Sequence, residues 1–265
     1  MRRLQQTGKV LAALNKALEQ PVDEAFELAA QVAILDDLVA AAGGESGRQV
    51  AAALHERLPE WKRERTMRFA RALVDAFHAA GREVTVRGAE YLVAGMVLRV
   101  DLGANRAVLE YARETVRDKI PLRPAAIVKA VESAHRELTG KSMDAGAFIK
   151  LLFEAYRRVL KFANDAPGER ANVIDVLAEL AFVLQRDTFR RDPRRELFQS
   201  YSRARFSHDL NRLRVEGVLE HASYRLNIGT ATIDFAEDRR RALYLTDGRG
   251  GGNYIMYLSF KPSSL

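Results

Sequence analysis

Cysteine is absent from this sequence of 265 residues, and its absence excludes several kinds of chemistry. Disulfide bonds, thiolate zinc sites and cysteine nucleophiles all require that residue. No apolar run approaches the roughly 20 residues that a membrane-spanning helix needs, and the first residues lack the apolar stretch of a secretory signal. We therefore expect a cytoplasmic protein that does not insert into a membrane.

Patterns typical of a metal site or a nucleophile are also scarce. The five histidines are scattered without metal-ligand spacing, and no serine or threonine has a recognisable nucleophile context. Asp101 and Glu110 faintly resemble the two carboxylates of metal-dependent nucleases, but Glu110 is followed by Tyr111 and Ala112, without the lysine usual there. The sequence predicts no metal, no cofactor and no enzymatic activity; a divergent nuclease is the one enzymatic alternative.

Lysine supplies only 9 of the 42 basic side chains, so arginine carries most of the positive charge. The net charge is +7, and the arginines are clustered. Nine of them, with no lysine and only four carboxylates, lie between Arg186 and Arg214. Because guanidinium groups are planar, permanently charged forks that match phosphate oxygens, this segment predicts a nucleic-acid partner.

Hydrophobic spacing divides the chain into helical and β-rich stretches. The first 80 or so residues carry apolar residues at helical spacing, around Phe26–Leu38 and again after Pro59. The pattern changes to alternation from residue 83 to about residue 111, with the turn of a hairpin at 103–105. Helices return after Pro121, and Ser142 is a candidate N-cap for one of them.

The C-terminal part combines a helix, the arginine-rich segment and short strands. The Asn-Asp-Ala-Pro-Gly loop at 164–168 is the best candidate for a domain boundary. Alternation predicts strands at 224–228, 232–234, 243–245 and 254–258. We expect an α+β fold, predominantly helical. Residues 1–165 would form a helical domain with a central β-hairpin, and residues 166–265 a basic, winged-helix-like domain with a β-rich end.

The strongest local pattern lies at residues 206–219. Phe206, Leu210 and Leu213 are spaced as one apolar stripe of a helix, Gly217 ends it, and an apparent β-hairpin follows. Basic side chains fall on a different flank. A helix with a buried stripe, a basic outer flank, a glycine stop and a strand pair resembles the recognition helix and wing of winged-helix proteins, over about residues 169–235.

The winged-helix resemblance implies a recognition helix in the DNA major groove and a wing against the backbone. The residues expected to approach bases or phosphates are Arg205, His208, Asn211 and Arg212. Those expected mainly to hold phosphates are Arg190, Arg191, Arg194, Arg195 and Arg203, and Arg214 is also expected to contact the nucleic acid. The alternative is an amphipathic helix whose arginines pair with Asp209, Glu216 or a neighbouring subunit.

A second basic patch follows Trp61. Arg65, Arg68 and Arg71 share one helix surface, where a single strand could stack on Trp61 and contact the arginines. The better explanation is a buried Trp61 with salt bridges to nearby acids. The glycine-rich segment 247–253 lacks the helix of a phosphate-binding loop and predicts a hairpin loop, in which Arg249 remains a possible backbone contact.

These patterns together favour a non-catalytic, nucleic-acid-binding accessory subunit within a multi-protein complex, with DNA preferred over RNA. The alternative is a protein-interaction adaptor whose arginines dock on an acidic partner, in a DNA-maintenance or defence assembly. A steep loss of affinity with salt is expected in the first case, because neutralising phosphates releases counterions.

Overall fold

A computed structural model describes residues 2–42, 45–140, 143–235, 238, 240–248 and 251–263. The fold is α+β, about 54% helical, with two antiparallel sheets, which confirms the predicted class. Contacts between backbone positions divide the chain into two compact units. The first comprises residues 1–84, 100–107 and 119–128, and the second comprises 85–99, 108–118 and 129–265.

The first unit is built mainly from three helices: α1 (Arg2–Leu18), α2 (Ala25–Ala42) and α3 (Glu45–Ala79). Their apolar faces meet in a core that includes Leu14, Leu28, Val32, Leu54 and Trp61. The burial of the single tryptophan agrees with its predicted role as an anchor.

One helix runs through Pro59, where the sequence suggested that a new helical pattern begins. Pro59 lies inside α3, although proline removes a backbone donor and crowds the preceding turn. Buried side chains continue across it, with Leu54 and Leu58 before the proline and Trp61 after it. Burial of this continuous face explains why tertiary packing outweighs the local cost of the proline.

The first sheet consists of five sequential strands: β1 (Val84–Arg87), β2 (Glu90–Val93), β3 (Met96–Asp101), β4 (Arg106–Tyr111) and β5 (Glu114–Ile120). The predicted alternation in β3 is confirmed, because Met96 and Leu98 are buried while Arg99 is exposed. The β-rich stretch extends nine residues beyond the expected end at Tyr111, since β5 returns along β4.

Two helices follow the first sheet: α4 (Pro124–Thr139) and α5 (Ala145–Ala163). The N-cap of α5 is Asp144, whose carboxylate accepts from the Ala147 amide at 3.0 Å. Ser142, the cap expected from the sequence, lies outside the described residues. Asn164 ends α5 in the left-handed conformation that favours asparagine and glycine.

The second sheet contains β6 (Ala171–Asn172), β7 (Glu220–His221), β8 (Tyr224–Thr230), β9 (Leu243–Thr246) and β10 (Gly252–Pro262). Its order is β6-β10-β8-β7, and β9 also pairs with β10. Three helices come between β6 and β7, namely α6 (Val173–Val183), α7 (Asp187–Arg191) and α8 (Arg203–Glu216). The strand expected at 232–234 is not one, because residues 233–235 form a 3₁₀ turn.

The core of the second unit joins α5 to the elements that follow it. Phe148 and Leu152 of α5 are fully buried in the same cluster as Val173, Leu180 and Phe260. The boundary expected near residue 165 therefore lies inside this unit, since the 164–168 loop links two helices that pack on each other. Within the described residues, no helix is both long and apolar enough to cross a bilayer.

Candidate nucleic-acid interface

Helix α8 has the form that its sequence predicted. Ser202 caps it, and its hydroxyl oxygen accepts from the Arg205 amide at 3.2 Å. Gly217 ends it with a φ of 70°, a left-handed conformation that glycine adopts without strain. Phe206, Leu210 and Leu213 are completely buried, so the predicted apolar stripe is confirmed.

The basic flank of α8 is directed at the protein's own chain. Arg205 donates from Nε to the Asp209 carboxylate at 3.1 Å and from Nη1 to the Glu137 carbonyl at 3.0 Å. Arg212 donates to the Met143 carbonyl and lies 3.8 Å from the Glu216 carboxylate. Only 13% of the Arg205 side chain and 20% of the Arg212 side chain are exposed. The pairing with Asp209 and Glu216 is the alternative that the sequence left open.

Asp209 is the centre of this buried polar cluster. Its side chain is 2% exposed, and it accepts from the Tyr201 hydroxyl at 2.7 Å while His208 Nδ1 lies 3.2 Å away. Burial alone would raise the pKa of Asp209, but the hydrogen bonds of His208 and Tyr201 and the charge of Arg205 outweigh it, so the pKa is lowered. The cluster therefore holds an ionised carboxylate inside the unit.

The same cluster raises the pKa of its two tyrosines. Tyr201 has a raised pKa because it is buried and because its hydroxyl donates to the negative Asp209. Burial, with a smaller contribution from Asp209, raises the pKa of Tyr111 to about 12. The Tyr111 ring lies 5.9 Å from that of His208. Both tyrosines therefore stay neutral and Asp209 stays ionised near neutral pH, as expected of a structural cluster.

The remaining α8 residues differ in exposure. Arg203 donates to the Glu114 carboxylate at 2.7 Å and to the Ala242 carbonyl at 2.7 Å. Asn211 is half-buried, whereas Arg214 is exposed. Of the site residues expected on this helix, only Arg214 is therefore fully presented to solvent.

The other predicted arginines lie in the segment between α6 and α8, which contains α7 and a 3₁₀ turn and which we call the arginine loop (residues 186–198). Its two ends are joined by Gln185, whose amide oxygen accepts from the Gln199 backbone at 2.8 Å and whose amide nitrogen donates to the Gln199 carbonyl at 2.9 Å. Inside the loop, the rings of Phe189 and Phe198 pack edge to face at 5.5 Å. These contacts give a highly charged segment a defined shape.

The arginine loop exposes five guanidinium groups with few partners. They belong to Arg186, Arg190, Arg191, Arg194 and Arg195. Arg190 donates to the Val183 carbonyl at 2.9 Å, and Arg194 pairs with Asp192 at 2.7 Å. Arg186, Arg191 and Arg195 have no ion pair within the part of the chain that the structure describes. The structure thus places these five arginines together on one loop, where they are exposed. Most arginines of α8, by contrast, are held by contacts within the protein.

The secondary basic patch on α3 is largely neutralised by carboxylates. Arg65 lies 3.4 Å from Asp23, and Arg68 lies 3.9 Å from Asp23 and 2.5 Å from Glu64. Arg71 alone of the three is exposed without an ion pair among the described residues. These contacts match the salt-bridge explanation of the patch.

The acids of the nuclease alternative have local structural partners. Asp101 accepts from the Ala104 amide at 2.9 Å in the β3–β4 turn, and Glu110 pairs with Arg99 at 2.6 Å. Among the residues with a described placement, no group of three or more histidine, aspartate or glutamate side chains is arranged to hold a metal ion. Both carboxylates therefore make contacts within their own hairpin.

The glycine-rich segment is a hairpin loop between β9 and β10. Thr246 pairs with Gly252 across the two strands, and the Asp247 carboxylate accepts from the Gly251 amide at 2.9 Å. This confirms the hairpin expected from the sequence. Arg249, the possible backbone contact, lies outside the described residues.

A further group of cations was not recognised from the sequence. Lys150, Arg157 and Lys161 line a cavity along α5, together with residues of β7, β8 and β10. Their spacing of seven and four residues places them on one side of a helix and is the signal that would have found them.

No family model, curated protein or solved structure matches this chain.

Proposed function

We propose that this protein is a non-catalytic nucleic-acid-binding subunit, with DNA as its preferred ligand, that works beside a partner protein in a larger complex. The arginine loop is its phosphate-binding surface. The observation that carries the proposal is the exposure of five arginines on one short loop, three of them without an ion pair in the described structure. Exposed, uncompensated guanidinium groups are suited to bidentate contact with phosphate oxygens.

The arrangement around the loop supports a winged-helix-like organisation of the second unit. Helices α5, α6 and α8 share one core with β8 and β10, and β10 pairs with both β6 and β8. The hairpin expected directly after Gly217 is formed by β7 and β8, which pair at Glu220 and His221. A helix followed by a strand pair on a common core is the feature on which the resemblance rests.

The proposal assigns different roles to the arginines from those expected on sequence alone. Arg203, Arg205 and Arg212 are held by the protein's own carboxylates and carbonyls, so we propose that they position α8 rather than read bases. Phosphate contacts carry no direct sequence information. Binding through the arginine loop should therefore be strongly salt-dependent and tolerant of sequence.

The test compares two matched charge reversals by fluorescence anisotropy with short duplex DNA, single-stranded DNA and RNA at several salt concentrations. The variant R191E/R195E changes the arginine loop, and R48E/R63E changes exposed arginines of α3 other than the three of the secondary basic patch. We expect the loop variant to lose at least about tenfold in affinity and to flatten the slope of log K against log salt by about 2, since each phosphate contact contributes about 0.9.

The α3 variant removes the same charge and should bind within about threefold of wild type. An equal loss of affinity in the two variants would show that net charge alone explains the effect. It would overturn the assignment of nucleic-acid binding to the arginine loop. Absence of binding to any nucleic acid at low salt would overturn the proposal itself and favour the adaptor alternative.

A further inference from the structure

A groove of about 930 Å³ lies along α5 in the second unit, and none of its lining residues belongs to the arginine loop or to α8. One wall is formed by α5 between Lys150 and Lys161. The lining also includes the β7–β8 turn, Phe260 of β10, and Asn164, Asp165, Pro167 and Gly168 after α5. We call it the α5 groove. Its volume lies in the range of sites that take several side chains or a small ligand.

The floor of the α5 groove is aromatic, and its rings pack on one another. The Phe153 ring lies 5.0 Å from that of Phe260 and 5.3 Å from that of Tyr224, and His221 packs on it edge to face at 5.5 Å. The Tyr156 hydroxyl donates to the Glu169 carbonyl and accepts from the Gly168 amide, so its polar end is satisfied. The floor therefore offers apolar surface, and the Tyr156 hydroxyl has its hydrogen-bond partners within the protein.

The rim of the groove carries a row of cations. Lys150, Arg157 and Lys161 are exposed and have no carboxylate partner in the described parts of the chain. At 3.6 residues per turn they fall within about 40° of one another on α5. Glu154 lies in the same row, but its charge is compensated by Arg158 at 2.6 Å. The rim therefore presents three positive charges without ion pairs among the described residues, against one further exposed carboxylate of the lining, that of Asp165.

The cationic rim and the aromatic floor together indicate what kind of ligand the groove binds. Carboxylates would be attracted to the three cations, and apolar side chains would bury aromatic surface between them. A nucleic acid would instead need open ring faces on which bases stack. In the α5 groove, the Phe153 ring packs against four neighbouring rings, and the Arg157 guanidinium lies 5.9 Å from its centre.

We propose that the α5 groove binds an acidic segment of a partner protein, whose apolar side chains lie on the Phe153 floor and whose carboxylates face Lys150, Arg157 and Lys161. The proposal adds a second interaction surface to the protein. It does not rest on nucleic-acid binding by the arginine loop, because the two surfaces share no residue.

The experiment uses the full-length chain and a fluorescein-labelled peptide of about 12 residues, the length of helix spanned by the rim. The peptide is composed of glutamate with leucine at every third or fourth position, and a second peptide has serine in place of leucine. Binding is measured by anisotropy for wild type, for K150E/R157E/K161E and for R186E/R191E/R195E. The two variants carry the same charge change on exposed residues.

We expect saturable binding of the leucine peptide, a loss of at least about tenfold with the serine peptide, and a similar loss in the α5 variant. The arginine-loop variant should bind the peptide as wild type does. No saturable binding, equal weakening by both variants, or equal affinity for the two peptides would overturn the proposal. A single-stranded DNA oligonucleotide is measured in parallel. If the α5 variant lost only DNA binding, the groove would belong to nucleic acid and the proposal would fail.

Discussion

At the scale of single residues, Asp209 organises the surroundings of α8. It is 2% exposed and ionised, with Tyr201, Arg205 and His208 as its partners. Removing one member of a buried ion pair is costly because it leaves the remaining charge in a poorly solvated place. The cluster therefore fixes the helix that the sequence suggested would face a ligand.

The lowered pKa of Asp209 makes a prediction about stability and pH. Its folded-state pKa lies below the value of about 3.9 for an unfolded chain, so the stabilisation is present above that value and is lost as the pH falls through the folded pKa. We expect wild type to lose more of its free energy of unfolding between pH 5 and 3 than D209N does, measured by urea denaturation at each pH.

At neutral pH, D209N should be destabilised by about 3 kcal/mol or more. The matched control is D192N, which changes an exposed carboxylate of the arginine loop and should unfold within about 0.5 kcal/mol of wild type. A D209N variant as stable as wild type at neutral pH would contradict the structural role of the cluster.

The sequence could predict which α8 residues are buried, but not what its arginines contact. Phe206, Leu210 and Leu213 follow helical spacing, which is a local pattern. The carbonyl that Arg205 meets belongs to Glu137, 68 residues away, and the carboxylate that Arg203 meets belongs to Glu114, 89 residues away. No local sequence pattern carries that information. The sequence therefore suggested that these arginines were free to bind a ligand, whereas they bind groups of the protein itself.

At the scale of elements, the arginine loop depends on a hydrogen-bonded junction at its two ends. Gln185 is 4% exposed and makes both side-chain contacts to the Gln199 backbone. It also donates to the Ala181 carbonyl. A buried amide with three hydrogen bonds stabilises a single geometry of the chain on either side.

We expect Q185A to lower the free energy of unfolding by about 1–3 kcal/mol, because it leaves backbone groups of Gln199 without partners. Nucleic-acid affinity should also fall by a few-fold although no charge changes, since a loosened loop must be ordered on binding. Thermal denaturation and anisotropy measure the two effects.

The control for this prediction is Q199A. Gln199 contributes only its backbone to the junction, and its side chain is exposed, so Q199A should match wild type in both measurements. Identical behaviour of Q185A and Q199A would show that the junction does not shape the loop.

Local patterns predicted most elements but failed where tertiary packing decides. The α8 helix, the β3–β4 hairpin and the β9–β10 hairpin all followed from spacing and turn residues. Pro59 suggested a break that α3 does not make, because its apolar face is buried continuously. The expected strand at 232–234 is a 3₁₀ turn. The α5 groove was missed because its floor comes from separate elements of the second unit.

At the scale of the whole molecule, β10 connects the parts of the second unit. It pairs with β6, β8 and β9, and Leu258 and Phe260 on it are completely buried in the common core. Helices α5, α6 and α8 therefore share their apolar core with this one strand. A substitution that disturbs packing on β10 should therefore destabilise these helices together.

We expect L258A to lower the free energy of unfolding by about 2–5 kcal/mol through a cavity in this core. Hydrogen exchange should accelerate together in α5, α6 and α8 if the unit opens as one body. The control K261A changes an exposed residue of the same strand and should leave exchange unaltered. Acceleration confined to β10 would argue against a single cooperative unit.

The position of β10 in the chain also affects how the protein is made. Because synthesis runs from the N-terminus, α5, α6 and α8 emerge from the ribosome long before the strand that completes their core. Ala171 pairs with Leu258, which lies 87 residues later in the chain. This pairing cannot form until Leu258 has been synthesised. Until then the apolar faces of these helices are open to wrong associations. We therefore expect the second unit to complete its core only after translation has reached β10, and a nascent chain stalled before that point to be the form most in need of a chaperone.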